Sequence, residues 1–252
     1  NEVGSIQPLE DIGALTRERG VLFHTDATQG IGRTDFDVDR MNVDLASLSA
    51  HKIHGPKGVG ALYVRRTGPA RVRLVAEMDG GGHERGMRSG TANVPGIVGL
   101  GTAAQILSAE WREQVAHVRA LRDRLRDHIL SKLEEVHVNG ADDPWRHPGN
   151  LNLSFGFVEG EALLLALQKH VAVSSGAACT SATLEPSYVL RAMGVSDELA
   201  DASIRFGLGT GNTEEQVDRV AKRVVREVGE LRKRSELWRM REEGVDPGSL
   251  EW

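Results

Sequence analysis

Two lysines, Lys52 and Lys57, stand five residues apart in SLSAHKIHGPKGVGALYV, Ser47 to Val64, and their surroundings decide which can act as a chemical group. Lys57 lies in GPKGVG, which lacks both the full glycine spacing of a phosphate loop and the hydroxyl residue after its lysine, so no nucleotide site is expected there. Lys52 ends an apolar run, follows Ser49 and His51, and precedes a glycine and a proline that leave room for a ligand against the backbone. An ammonium group in such a place can lose its charge and become a nucleophilic amine, as Schiff-base chemistry with pyridoxal phosphate requires. A plain surface lysine accounts for the same local context equally well.

Asp26, in HTDATQ, shifts that balance. A carboxylate at a strand end can keep a pyridine nitrogen protonated and the ring an electron sink, although an Asp after a strand is more often a cap or turn residue. The pairing of HTDATQ with SAHK further along gives both lysine and acid a shared use. Ser49 and His51 then suit a phosphate group and Gln29 can donate to a ring oxygen, while His51 also reads as a residue that merely fills a turn. The single cysteine, Cys179, lies in SSGAACTSATLEPSYV. A lone cysteine is usually a small buried hydrophobe, but glycine and the Ser/Thr-rich surroundings here argue for an accessible, mobile loop.

The chemistry needs a scaffold, and 252 residues suffice for one or two domains, with two expected. Hydrophobic residues at 40% and charged residues at 27% describe an ordinary globular chain. A net charge of -5 carries no long basic stripe, and although Arg65, Arg66, Arg71 and Arg73 form a short cationic run, direct nucleic-acid binding is not expected. One cysteine excludes an internal disulfide, no Cys/His spacing suggests zinc, and a reducing compartment fits. No apolar run approaches the roughly 20 residues that span a bilayer, and NEVGSIQPLEDIG lacks the blocks of a signal peptide.

Pro8 opens a helix with Leu9, Ile12 and Leu15 on one side and Gly20 at its end. The runs Val21–Phe23, VDLASLSA and VGALYV read as strands of an α/β sheet, the first delivering His24, Asp26, Thr28 and Gln29 to its end. DGGGHERGMRSG, residues 79–90, is a loop with unusual backbone angles. From about Val115, the spacing of Val118, Leu121, Leu125 and Ile129 predicts a long amphipathic helix, so the domains divide into residues 1–111 and 112–252. Beyond it NLNLSF, VAVSSG and SIRFGLG read as strands and GEALLLALQ as a helix. Thr213 and Gln216 form a capping box before a helix lined by Val217, Val220, Ala221, Val224, Val228 and Leu231. The second domain is thus α+β, ending in an apolar tail with Trp238, Met240, Leu250 and Trp252.

Taken together, HTDATQ, SLSAHKIHGPKGVGALYVRR, GGGHERGMRSGT, VAVSSGAACTSATLEPSYVLRAMG and SIRFGLG resemble the cysteine desulfurases of iron–sulfur cluster assembly, pyridoxal-phosphate enzymes of the class V aminotransferase family. The resemblance runs from Asn1 to Trp252 and implies a partial PLP-dependent transferase fold of the aspartate aminotransferase type. Residues 1–111 would be the C-terminal portion of a truncated large cofactor domain, and 112–252 a small domain with the cysteine loop and a partner-binding tail. It assigns Lys52 to the Schiff base and to moving the α-proton of bound cysteine, and Asp26 to the pyridine nitrogen. Gln29 takes the phenolic oxygen, and Ser49 with His51 the phosphate. Thr91 resembles the phosphate ligand given by the second subunit of a homodimer. Asn1 and Arg205 resemble the residues that bind the substrate carboxylate, for which a planar guanidinium is well shaped. Cys179 resembles the nucleophile that takes sulfur from L-cysteine, leaving alanine and a persulfide, and whose travel to an acceptor needs a mobile loop.

The same resemblance implies an iron–sulfur scaffold protein and other sulfur acceptors as partners, no resident metal beyond transient contact of Cys179 with a cluster, and no membrane. It places the protein in the cytoplasm, or in the mitochondrial matrix of a eukaryote. Family members are much longer at the N-terminus, so the Gly/Thr phosphate contacts and the ring-stacking His are expected to be missing here. Further departures are His54 in place of Tyr, Ala177 in place of Ser, and GTGNTEEQ in place of an Arg-Phe pair after the strand. Two other readings accompany the desulfurase: a non-catalytic fragment that keeps dimer and scaffold surfaces, and a selenocysteine lyase or aminotransferase of the same fold.

Overall fold

A computed structural model describes residues 1–67, 72–175 and 186–244, which divide into two compact units. One is Gln7–Glu113; the other joins Asn1–Ile6 to Gln114–Trp252. The first six residues therefore go with the C-terminal unit, and the division falls within a helix.

In the N-terminal unit, α1 (Leu9–Glu18) carries Glu10 and Asp11 in its first turn and Arg17 in its last, matching the helix dipole. Gly20 follows with a φ of +64°, a left-handed conformation suited to glycine. Buried Gly13 brings α1 so close to the loop before the sheet that a Cβ would lie 1.8 Å from the Met41 carbonyl oxygen. Leu9 and Ile12 pack on Phe23, Ala27, Met41, Val43 and Ala46.

The sheet holds β1 (His24–Asp26), β2 (Leu45–Ser49) and β3 (Gly60–Val64), in that order, with β1 and β2 parallel and β3 antiparallel. The apolar run expected as the first strand is not in the ladder: Val21 and Leu22 are exposed, and the Val21 N–H turns back to the Thr16 carbonyl at 2.9 Å. Pairing begins with His24 opposite Leu45. Ala46 and Tyr63, paired in register, pack toward the apolar cluster, and alternation puts Ser47 and Ser49 on the other face with Leu62.

Arg65, expected in a cationic run, is buried instead, donating to Asp39 at 2.6 Å and to the Val43 carbonyl at 3.1 Å. Arg71 lies outside the described residues. In residues 79–90, Gly80, Gly82, Gly86 and Gly90 take positive φ, as do Glu84 and Arg85 around a single 3-10 turn, Glu84–Gly86.

Helix α2 (Val94–Leu130) starts well before the expected Val115. Its first half is rich in Gly and Ala, which carry little periodic signal, yet Pro95 suits the first turn and Ala103 and Leu107 pack with Ile53. In the C-terminal unit, β4 (Val136–Asn139), β5 (Asn150–Phe155), β6 (Ser174–Ser175) and β7 (Ser203–Gly207) form an antiparallel sheet ordered β4-β5-β7-β6. The strand expected in VAVSSG is limited to β6 among the described residues.

Between these strands lie α3 (Gly160–Leu167), α4 (Tyr188–Ala192) and α5 (Asp197–Asp201), and after them α6 (Glu214–Arg232) and α7 (Glu236–Glu242). Leu151, Leu153 and Phe155 of β5 join Ile204 and Phe206 of β7 against apolar residues of α2, α3 and α6. Thr213 and Gln216 form the expected capping box of α6. The opposite, polar face of β5 carries Asn150, Asn152 and Ser154, all buried. The tail residue Trp238 packs within its own unit, edge-on to Phe157 with ring centroids 5.6 Å apart. Residues 245–252, including Leu250 and Trp252, lie outside the described residues.

Candidate active site

The candidate residues fall into two groups, one in each unit. In the N-terminal unit they gather at the carboxyl ends of neighbouring parallel strands, where open α/β sheets commonly bind ligands. Asp26 ends β1, and the Thr28 N–H donates to its Oδ1 at 2.8 Å, which makes an Asx turn. Hydrogen bonds from the Thr28 hydroxyl and N–H, with a smaller contribution from His24, hold the Asp26 carboxyl below the usual carboxylate range against slight desolvation. Asp26 is therefore an exposed anion at neutral pH. His24 Nε2 lies 3.0 Å from Ser47 Oγ on the same face. Gln29 follows in the turn, half-buried.

At the end of β2, Ser49 leads into a 3-10 turn, Ala50–Ile53, that carries His51 and Lys52, both exposed. Ser49 Oγ and His51 Nδ1 are 2.7 Å apart, so the two expected phosphate ligands already meet. His54 closes the turn in a left-handed conformation with φ +66°, and the Gly55 N–H donates to the Ala50 carbonyl at 2.8 Å. Gly60, opposite Ser49, has no room for a side chain: a Cβ would lie 2.4 Å from the Leu48 carbonyl oxygen. Thr91 is exposed in the chain leading to α2.

This set fits pyridoxal phosphate chemically. An ionised carboxylate suits the charged ring nitrogen, and a hydroxyl, an imidazole and an ammonium group one strand away suit an anionic group and a carbonyl carbon.

In the C-terminal unit, Arg205 and Asn1 come together. Arg205 is flanked in register by Asn152 of β5 and Ser174 of β6. Its Nε donates to Ser174 Oγ at 3.1 Å, and its Nη1 donates to the Asn1 carbonyl at 3.2 Å and approaches Asn1 Oδ1 at 3.5 Å. Its hydrogen-bond partners are neutral, and it forms no ion pair among the described residues. A half-buried guanidinium without a carboxylate partner is a receptive site for an anion. Cys179 and Ala177 lie outside the described residues. Among those described, no cluster of His, Cys, Asp and Glu could hold a metal ion, and no helix is long and apolar enough to cross a membrane. Thr28, Ser174 and Asn150 had no assigned role in the sequence; only Thr28 had a local signal, its position two residues after an Asp.

Residues 1–220 match the family model described as "Aminotransferase class-V". The whole chain is 60% identical to "Cysteine desulfurase IscS" of Anaeromyxobacter sp. (strain Fw109-5), covering 61% of that protein, and 53% identical to the protein of the same name from Rickettsia akari (strain Hartford), covering 60%. It thus spans about three fifths of the length of these curated relatives. A solved "NIFS-LIKE PROTEIN" superposes with a TM-score of 0.79 at 37% identity, over 91% of this chain and 59% of that one. The NifS-like protein from Rickettsia africae gives 0.78 at 30% identity, with the same two coverages. With the match extending over most of its length, this chain belongs to the class V aminotransferases, a family of pyridoxal-phosphate enzymes.

Proposed function

We propose that the protein is a pyridoxal-phosphate-dependent cysteine desulfurase, converting L-cysteine to L-alanine and leaving a persulfide on Cys179. The observation that carries this reading is the pair of strand ends: Asp26 held ionised by Thr28, and beside it the Ser49, His51 and Lys52 turn. Similarity to proteins named cysteine desulfurase supports the choice of substrate.

Pyridoxal phosphate, when bound, supplies an electron-withdrawing ring that stabilises negative charge at the substrate α-carbon. Asp26 would keep the ring nitrogen protonated, Gln29 would donate to the phenolic oxygen, and Ser49, His51 and a second subunit's copy of Thr91 would hold the phosphate. Arg205 and Asn1 bind the substrate carboxylate. Lys52 Nζ takes the α-proton and returns it on the way to alanine. The Cys179 thiolate attacks the substrate sulfur; an S–S bond forms, the C–S bond breaks, and its electron pair stays with the carbon that becomes the alanine methyl group.

The persulfide then passes to an iron–sulfur scaffold or another sulfur acceptor. A homodimer in the cytoplasm is the matching assembly, and the bacterial relatives support that placement.

The test adds pyridoxal phosphate and follows its visible absorbance, then measures alanine release from L-cysteine. Lys52→Ala should abolish the lysine-linked absorbance, while Cys179→Ala should keep it and stop persulfide formation. A protein that takes up no cofactor, or a Lys52→Ala variant that retains the lysine-linked band, would overturn the assignment.

A further inference from the structure

The alternation of NLNLSF places Asn150 and Asn152 on the polar face of β5, where both meet the first residues of the chain. Asn150 Nδ2 donates to the Asn1 carbonyl at 3.0 Å and lies 3.4 Å from the Glu2 carbonyl, while Asn152 Nδ2 donates to the Glu2 carbonyl at 3.3 Å. Asn152 in turn accepts from Asn139 Nδ2 at 2.8 Å. Gly4 lies directly against Asn150, with φ +75° and no space for a side chain, since a Cβ would sit 2.9 Å from Asn150 Cβ. The segment is held at further points by the Ser187 hydroxyl donating to the Glu2 carboxylate and by the His147 N–H donating to the Gly4 carbonyl at 2.7 Å.

One oxygen connects this arrangement to the arginine. The Asn1 carbonyl accepts from Asn150 Nδ2 and also from Arg205 Nη1. Ser174 Oγ fixes the same guanidinium at Nε. A planar group bonded at two nitrogens has its plane defined, and Nη2 has no hydrogen-bond partner among the described residues.

We propose that Asn150 and Ser174 are positioning residues for Arg205: Asn150 acts through the Asn1 carbonyl and Ser174 directly on Nε, so that the Nη2 edge stays available to a substrate carboxylate. This rests on the reading of Arg205 as the carboxylate-binding residue. Each partner is neutral, so it orients the cation without competing for its charge, which an Asp or Glu in the same place would do. The same chemistry gives a use to Asn150 on the buried polar face of β5, where an apolar residue would pack at lower desolvation cost.

The test uses the cofactor-loaded protein and two readouts. The first is the Arg205 Nε–H NMR signal, identified by its loss in Arg205→Lys, followed as L-alanine is added. The second is KM against kcat for L-cysteine. In the unmutated protein L-alanine should shift the Arg205 signal. Asn150→Leu and Ser174→Ala should each move that signal before ligand is added, weaken L-alanine binding about tenfold, and raise KM by a similar factor with kcat changed less than about threefold. Should Asn150→Leu fail to fold, Asn150→Ala and the half-buried Ser174→Ala carry the comparison.

If L-alanine leaves the Arg205 signal of the unmutated protein in place, the carboxylate reading falls and the positioning proposal with it. If L-alanine shifts it but the variants bind L-alanine as tightly as the unmutated protein, the carboxylate reading stands and the positioning proposal alone is overturned. A loss confined to kcat also overturns it.

Discussion

A carboxylate stays charged in acid when its neighbours favour the anion, and for Asp26 that neighbour is Thr28, through hydroxyl and N–H. Because the folded pKa lies below the ordinary value of 3.8, the stabilising effect is present above that value and lost as pH falls through the lower folded one. Thr28→Val removes the hydroxyl and should move the Asp26 titration up toward 3.8, measured by carboxyl-carbon NMR; an unchanged titration would assign the shift elsewhere. Asp26→Asn should weaken cofactor binding by about 10- to 100-fold, the range of one charge-assisted hydrogen bond, in an absorbance titration. Asp26 and Lys52 were legible in the sequence as candidates from their place beside apolar runs, and Arg205 and Cys179 as candidates through the family resemblance. Ser174 and Asn150 were not, since a neutral residue in a strand acquires its role only from the register that sets it beside Arg205 or Asn1.

Among the elements, the junction of α6 and α7 is held by one buried cation. Arg232 donates to the Gly156 carbonyl from Nε at 3.1 Å and Nη2 at 2.9 Å, and to the carbonyls of Glu134 at 2.9 Å and Glu135 at 3.1 Å. Its guanidinium carbon lies 4.3 Å from the centre of the Trp238 ring, with Arg241 at 5.0 Å. Burial lowers its pKa to about 10, which still leaves it charged at neutral pH. Arg232→Ala would take the donor from the Gly156 and Glu134 carbonyls, leave the Glu135 carbonyl only its bond from the Gly156 N–H, and remove the support under Trp238, so we expect a loss of about 2–4 kcal/mol in urea unfolding. Arg232→Lys keeps the charge but cannot span the carbonyls, and should recover only part of the loss. Helix α6 was readable in advance because its apolar period and capping box agree. The short β4, α4 and α5 were not, having too few residues to establish a period, and the first half of α2 was hidden by glycine and alanine that pack through smallness, as where Gly99 meets Pro56.

At the scale of the molecule, the two units differ in how much apolar surface they exclude from water. The C-terminal unit closes one large cluster in which Leu151, Leu153, Phe155, Leu163, Leu167, Val224 and Val228 are fully buried, beside a smaller one around Val3, Leu190 and Ala200. The N-terminal unit divides its core between a cluster around Phe23, Val43 and Ala46 and another around Ile53 and Leu107, and it leaves Val21, Leu22, Leu62, Val94 and Val98 exposed. Since buried apolar area is the main favourable term in folding, the N-terminal unit should open at lower free energy. Hydrogen exchange should therefore be slowest in β5 and α6 and faster throughout β1, β2 and β3, and urea should release the N-terminal unit first. Pyridoxal phosphate binds residues of that unit in the proposed reaction, so at about 100 times its Kd it should raise the first transition by about 2.7 kcal/mol through mass action and leave the second in place. A single transition reported alike by probes in both units would show that they unfold together, and a cofactor effect on the second transition alone would move the site out of the β1 and β2 strand ends.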